Sequence, residues 1–150
     1  MTGSGASSRR KPAPTDIQLR KKSGLLVLQY ADGTRFELPA ELLRVYSPSA
    51  EVKGHGAGRE VLQTGKRRVQ MTAIEAIGQY AIRLSFDDGH DSGIYSWDTL
   101  YDLGERQQEL WLRYLTRLQQ ANASRDALPA DTQAIKIVDP TRNTGNAGGQ

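Results

Sequence analysis

Cysteine is missing from all 150 residues of the chain. That absence removes disulfides, thiolate zinc sites, all-cysteine iron–sulfur ligation and cysteine nucleophiles. Imidazoles are nearly missing too: His55 and His90 are the only histidines, and a metal site would need oxygen ligands such as Asp87, Asp88 or Asp91 to complete it. No apolar run reaches about 18 residues, so no membrane-spanning helix is expected. The segment Met1 to Lys11 is rich in Gly, Ser and Arg and lacks the apolar centre of a signal peptide. A cytoplasmic protein with no membrane partner is the expectation. Gly-x-Ser-x-Gly does not occur, which leaves Ser96 with His90 and Asp98, or Ser47 and Ser49, without a nucleophile elbow. The glycine stretch Gly54-His55-Gly56-Ala57-Gly58 has arginine next, not the glycine of a dinucleotide fingerprint, and no Gly-Lys-Ser/Thr follows. It reads as a loop.

What is present is charge, unevenly placed. The net charge is +3, but residues 1–22 carry six cations against Asp16, a local +5 that leaves −2 for the rest. A basic pI from a tail is poor evidence for nucleic acid, and no basic helix face or nucleic-acid motif supports such a partner. Two interior stretches stand out. Residues 53–68 hold Lys53, Arg59, Lys66, Arg67 and Arg68 against Glu60, or +4, while residues 85–109 sum to −6.

The chain divides by pattern. Residues 1–14 are too polar to offset their ordering entropy and read as a disordered basic tail. Residues 15–122 read as a single domain. Ile17 and Leu19 alternate with polar neighbours, Ser23-Gly24 turns, and Leu25 to Tyr30 returns as a strand; Ala31-Asp32-Gly33 turns again into Thr34 to Leu38, with Phe36 and Leu38 on one face. Pro39 suits the first turn of a short helix over 40–46, which Ser47-Pro48-Ser49 ends. A strand follows over about 70–77, although neither helical nor strand period is clean there. Tyr80, Ile82, Leu84 and Phe86 alternate perfectly, Asp88-Gly89 turns, and His90 to Tyr95 returns. Ser96 is placed to cap a helix bearing Trp97, Leu100, Tyr101 and Leu103, with Asp98 in its first turn and Gly104 at its end. Leu110, Trp111, Tyr114, Leu115 and Leu118 stripe one side of a helix over 105–121, with Glu109 and Arg113 spaced for an ion pair. Residues 123–150 read as a mostly disordered tail in which only 134–138 suggest a strand. The fold class is α+β: a small, mostly antiparallel sheet, a short helix after the third strand, and a C-terminal amphipathic helix.

In order along the chain, Asp16-Ile17, the strand pair about Asp32-Gly33, Leu42-Leu43-Arg44-Val45 with Ser47-Pro48-Ser49-Ala50-Glu51-Val52, and Asp88-Gly89-His90-Asp91-Ser92-Gly93-Ile94-Tyr95-Ser96-Trp97 with Leu103-Gly104 resemble the gamma-butyrobetaine hydroxylase-like N-terminal domain family. The resemblance covers about residues 14–120. It implies a stand-alone bacterial protein of unknown function, related to domains that precede the oxygenase domain of carnitine-biosynthesis dioxygenases and to domains on some iron–sulfur carrier ATPases. In the dioxygenases the family's domain is a zinc module of three cysteines and one histidine that lies outside the iron active site and helps subunits associate. The histidine matches His90; the cysteines match Ser47, Ser49 and Val52. A hydroxyl is a poor zinc ligand and valine is none, so the resemblance carries the shape, with the 47–52 turn beside His90, and not the metal.

The resulting expectation is a non-catalytic accessory or interaction domain that presents the acidic 87–102 face and the basic 53–68 loop to a protein partner. His90, Asp88, Asp91, Tyr95, Trp97, Ser47, Ser49, His55, Arg67 and Arg68 form the candidate surface, and association into a homodimer is a further candidate. No cofactor is expected. The alternative is an auxiliary role in iron–sulfur or metal handling, with zinc or iron as the ion and His90 and Asp91 as the nearest ligands. Carboxylates around His90 predict an imidazole held above its ordinary pKa.

Overall fold

The computed structural model describes residues 10–54 and 60–127. The first sheet is an antiparallel meander of β1 (Asp16–Arg20), β2 (Leu25–Gln29) and β3 (Arg35–Pro39), in the order β1-β2-β3. Ile17 pairs with Leu28 and Leu28 with Phe36. Gly24 and Gly33 turn the chain at φ 69° and 92°, where a side chain would be strained. Pro39 closes β3 in an extended conformation and is the N-cap of α1 (Ala40–Val45), one position earlier than a first-turn proline. A four-residue helix that the sequence pattern did not announce, α2 (Ala50–Lys53), follows, capped by Ser49.

The second sheet is β4 (Met71–Ile77), β5 (Ala81–Phe86) and β6 (Gly93–Ser96), also antiparallel and in chain order. Its register shifts between Met71 and Ala73. That irregularity is why no single period runs through the β4 sequence. Ile82, Leu84 and Phe86 are buried as the alternation predicts. Tyr80 departs from it: it precedes β5, lies in the turn, and is 60% exposed. His90 likewise precedes the return strand, which begins at Gly93.

Ser96 caps α3 (Trp97–Glu105) by accepting from the Thr99 amide at 3.1 Å, with Asp98 in the first turn. Arg106 breaks the helical path, and α4 (Gln107–Gln120) runs on. Two layers of sheet, α1 and the α3/α4 pair enclose one main core built from Leu26, Leu28, Leu38, Leu42, Leu43, Leu84, Tyr95 and Leu100. A smaller cluster of Val45, Tyr114 and Leu118 joins α1 to α4. Residues 124–126, which the sequence places in the C-terminal tail, lie against the domain: the Gly65 amide donates to the Ser124 carbonyl, and Arg125 reaches Glu41. His55 and the segment 134–138 lie outside the described residues.

Gly104 does not end α3. The helix passes through it, and the missing side chain makes room for the Phe36 ring of β3, which a Cβ there would overlap. Glycine in a helix costs up to about 1 kcal/mol relative to alanine, so Gly104→Ala would stabilise if space allowed. The overlap is with ring atoms that Tyr30 and Tyr101 hold edge-on. Gly104→Ala is therefore expected to destabilise the fold by roughly 1–3 kcal/mol in urea titration; a neutral or stabilising result would show that the Phe36 ring is free to shift.

Candidate functional site

The turn between α1 and α2 and the turn between β5 and β6 meet at a buried polar cluster. Ser47 is 1% exposed and His90 5%. Their contact is direct, Ser47 Oγ to His90 Nε2 at 2.9 Å, and on the other side of the ring His90 Nδ1 lies 3.0 Å from Glu51 Oε1. The Ser49 amide donates to Ser47 Oγ at 3.2 Å. The Glu51 carboxylate fixes the polarity of the chain, because it can only accept: the neutral ring donates from Nδ1 to Glu51, and the Ser47 hydroxyl gives its proton to Nε2. Ser49 Oγ meets Ser92 Oγ at 2.7 Å while capping α2 through the Glu51 amide. Gly93 closes the cluster from β6, where a Cβ would come within 2.5 Å of Ser47 Oγ.

Asp88 organises the second half. Its Oδ1 accepts from the His90 amide at 3.2 Å, and its Oδ2 accepts from Arg44 Nε at 2.8 Å and from Lys66 Nζ at 2.5 Å. Burial alone would raise this carboxyl. The hydrogen bonds from Lys66, the His90 amide and Arg44 override it and hold Asp88 at about 2. His90 moves opposite to the sequence expectation. Burial lowers its pKa, the Arg44 guanidinium lowers it further, and the attraction of Glu51 and Asp88 does not overcome them. Sequence proximity showed the carboxylates and hid both the burial and Arg44.

The remaining candidates scatter. Tyr95 is fully buried, donating to the Leu43 carbonyl at 2.6 Å, and is not a surface residue. Trp97 is half-buried, with Nε1 donating to the Gln79 carbonyl at 2.8 Å. Asp91, Arg67 and Arg68 are exposed, and Arg67 pairs with Asp126. The acidic and basic stretches are thus not two independent faces, because Lys66 neutralises Asp88. The candidate surface read from the sequence did not include Glu51, Arg44, Lys66 or Ser92. Only Glu51 had a local signal, two residues after the Ser49 cap.

A second constellation lies at the start of α3. The Lys11 amide donates to Asp98 Oδ1 at 2.8 Å, and the Lys11 ammonium stands 3.8 Å from Glu105 and 5.3 Å from the centre of the Tyr101 ring. Arg10, Lys11, Tyr80, Trp97 and Asp98 line a hollow of about 340 Å³ there.

The gamma-butyrobetaine hydroxylase-like N-terminal family model matches residues 17–101, more than half of the 150 residues. The chain belongs to this family. Two NMR solution structures are similar to it: one is 50% identical, covering 83% of this chain and 96% of that one at a TM-score of 0.67, and the other is 49% identical, covering 86% and 95% at 0.67. A crystal structure from Acidithiobacillus ferrooxidans, of a protein of unknown function in the DUF971 family, is 33% identical over 61% of this chain and 91% of that one, at 0.52. None of the curated proteins matches. Within the family frame, the positions matched to a zinc cage hold two hydroxyls, a valine and a histidine whose two nitrogens are both engaged. Among the described residues no group of three or more His, Cys, Asp or Glu side chains is placed to hold a metal ion. The residues present do not fit that ion.

In chemical terms, Ser47, His90 and Glu51 follow the order of a hydrolase triad, with a neutral imidazole accepting from a hydroxyl. Attack requires a reachable nucleophile, and Ser47 is enclosed by His90, the Ser49 amide and Gly93. What the contacts do is clasp the two turns together. Ser47→Ala leaves Nε2 buried without its donor and is expected to cost about 1–3 kcal/mol. Because His90 is lowered in the fold, its contribution is complete above about pH 6.5 and is lost as pH falls from there through the folded value. Urea titrations between about pH 7 and pH 5 should show stability declining in the wild type, with a flatter profile in His90→Asn. Asp88 acts lower, its contribution lost only from about pH 4 toward 2. A His90 resonance titrating above the ordinary value in NMR would overturn the assignment.

Proposed function

We propose that the domain is a non-catalytic accessory module that acts through a protein partner, and that the face around Asp98 and Glu105 receives a basic segment of that partner. The observation that carries the reading is the chain's own use of this face. Lys11 donates to Asp98 through its amide and approaches Glu105 and the Tyr101 ring through its ammonium, so a cation already sits beside an aromatic ring at this face. The exposed acids Asp87 and Asp91 and the 46%-exposed Ile94 belong to the same stretch of chain. Charged rims of this kind steer association and fix register, with an apolar residue supplying the anchor. Sealed Ser47 and His90 support the non-catalytic half of the reading.

The full chain, used as bait at low salt, is expected to capture a partner that Asp98→Asn/Glu105→Gln no longer retains and that Lys11→Ala retains at least as well. Capture indifferent to the double substitution would reject this face. A fluorophosphonate probe is expected to leave Ser47 unlabelled, and labelling there would reject the non-catalytic reading. Metal or iron–sulfur handling through His90, the alternative that the family resemblance raises, is separated by calorimetric titration with zinc and ferrous iron. Stoichiometric binding that His90→Asn abolishes would favour it.

A further inference from the structure

Between the 47–53 turn, residues 60–61 and the helices α3 and α4 lies a hollow of about 510 Å³, a volume within the range of small-ligand sites. Its wall carries Lys53, Arg106, Arg113 and Arg117 against two carboxylates, Glu60 and Asp102. These cations are unequally engaged. Arg106 is held by Asp102 and Glu109, and Arg113 shares Glu109. Arg117 makes one long contact, from Nη2 to the Glu60 carbonyl at 3.4 Å. Neither Arg117 nor Lys53 has a carboxylate partner among the described residues.

The arrangement works against the isolated fold. Arg113 and Arg117 are four apart on α4, a like-charge spacing that costs a helix a few tenths of a kcal/mol, and Lys53 brings another positive charge to the same hollow from α2. The fields converge on Tyr46, whose hydroxyl is spent on the Leu110 carbonyl at 2.7 Å. Burial holds that phenol above its ordinary value, even though Arg113, Arg117 and Arg106 each pull it down. Thr99 Oγ1, also in the wall, accepts from Ser96 Oγ at 3.0 Å and keeps its own proton to donate. A concave surface with unspent guanidinium and ammonium donors and a free hydroxyl is matched to a tetrahedral or planar oxyanion, which guanidinium forks bind bidentately.

We propose that this hollow is a binding site for a small multivalent oxyanion, a phosphate- or carboxylate-bearing compound, with Arg117 and Lys53 as its principal contacts and Arg113 and Thr99 completing the set. The site is separate from the Asp98 face and stands whether or not that face binds a partner. Calorimetric titration of the full chain with sodium pyrophosphate and with sodium citrate, each against sodium chloride at matched ionic strength, tests it. Saturable binding of pyrophosphate is expected for a phosphate-bearing ligand, and of citrate alone for a carboxylate-bearing one. Binding should weaken about tenfold or more in Lys53→Gln/Arg117→Gln, with the melting temperature of the unliganded protein unchanged or slightly raised as the like-charge repulsion is relieved. Arg68→Gln, an exposed cation elsewhere, should bind as the wild type does. Three results would each overturn the proposal: no heat beyond chloride for either anion, full binding in the double variant, or an equal loss in Arg68→Gln.

Discussion

Every residue of α1 is buried, two of them charged, and the rest of the structure answers those two charges. Glu41 is 6% exposed and receives both Arg125 donors, at 2.8 and 2.7 Å. Arg44 is 7% exposed and gives Nε to Asp88 at 2.8 Å. A charge enclosed without its partner costs several kcal/mol, so α1 can be covered only when the β5–β6 turn and the segment beyond α4 arrive on its two flanks. Lys66 then reaches Asp88 as well, which ties the basic stretch into the same network. Charge that looks like surface in the sequence is, in this fold, the internal stitching.

The clasp at His90 follows from that stitching. Asp88 holds the His90 amide, which sets the ring between Ser47 and Glu51, while Arg44 discourages its protonation. Where the family resemblance implies a metal drawing four ligands together, this chain joins the same turns with hydrogen bonds. Each is worth about 1 kcal/mol net, against the far larger binding energy of a structural zinc. Gly93 permits the close approach of the two turns, because a Cβ there would meet Ser47 Oγ and the Tyr95 ring.

Much of the scaffold was legible from residues alone. Asp32-Gly33 and Asp88-Gly89 marked turns because glycine takes the positive φ they need, and Ser96 marked a helix start. The α3 and α4 stripes announced their buried faces. Long-range pairings were not legible: Arg125 is 84 positions from Glu41 and Asp88 is 44 from Arg44, so no local pattern couples them. The same blindness reversed the expected titration of His90. The β4 bulge blurred a strand whose neighbour, β5, was plain. Two sheets appeared where a single small one was expected, because the meanders close separately about one core.

The stretch by which the family is recognised stops at residue 101, yet the contact that neutralises Glu41 is made at residue 125, and Leu110 of α4 belongs to the main core. The family model and the contacts that close the core therefore end in different places. A chain cut at residue 101, where the family model ends, would keep the Glu41 carboxylate and lose both Arg125 and the Leu110 part of the apolar wall. The family model spans less of the chain than the contacts that close its core.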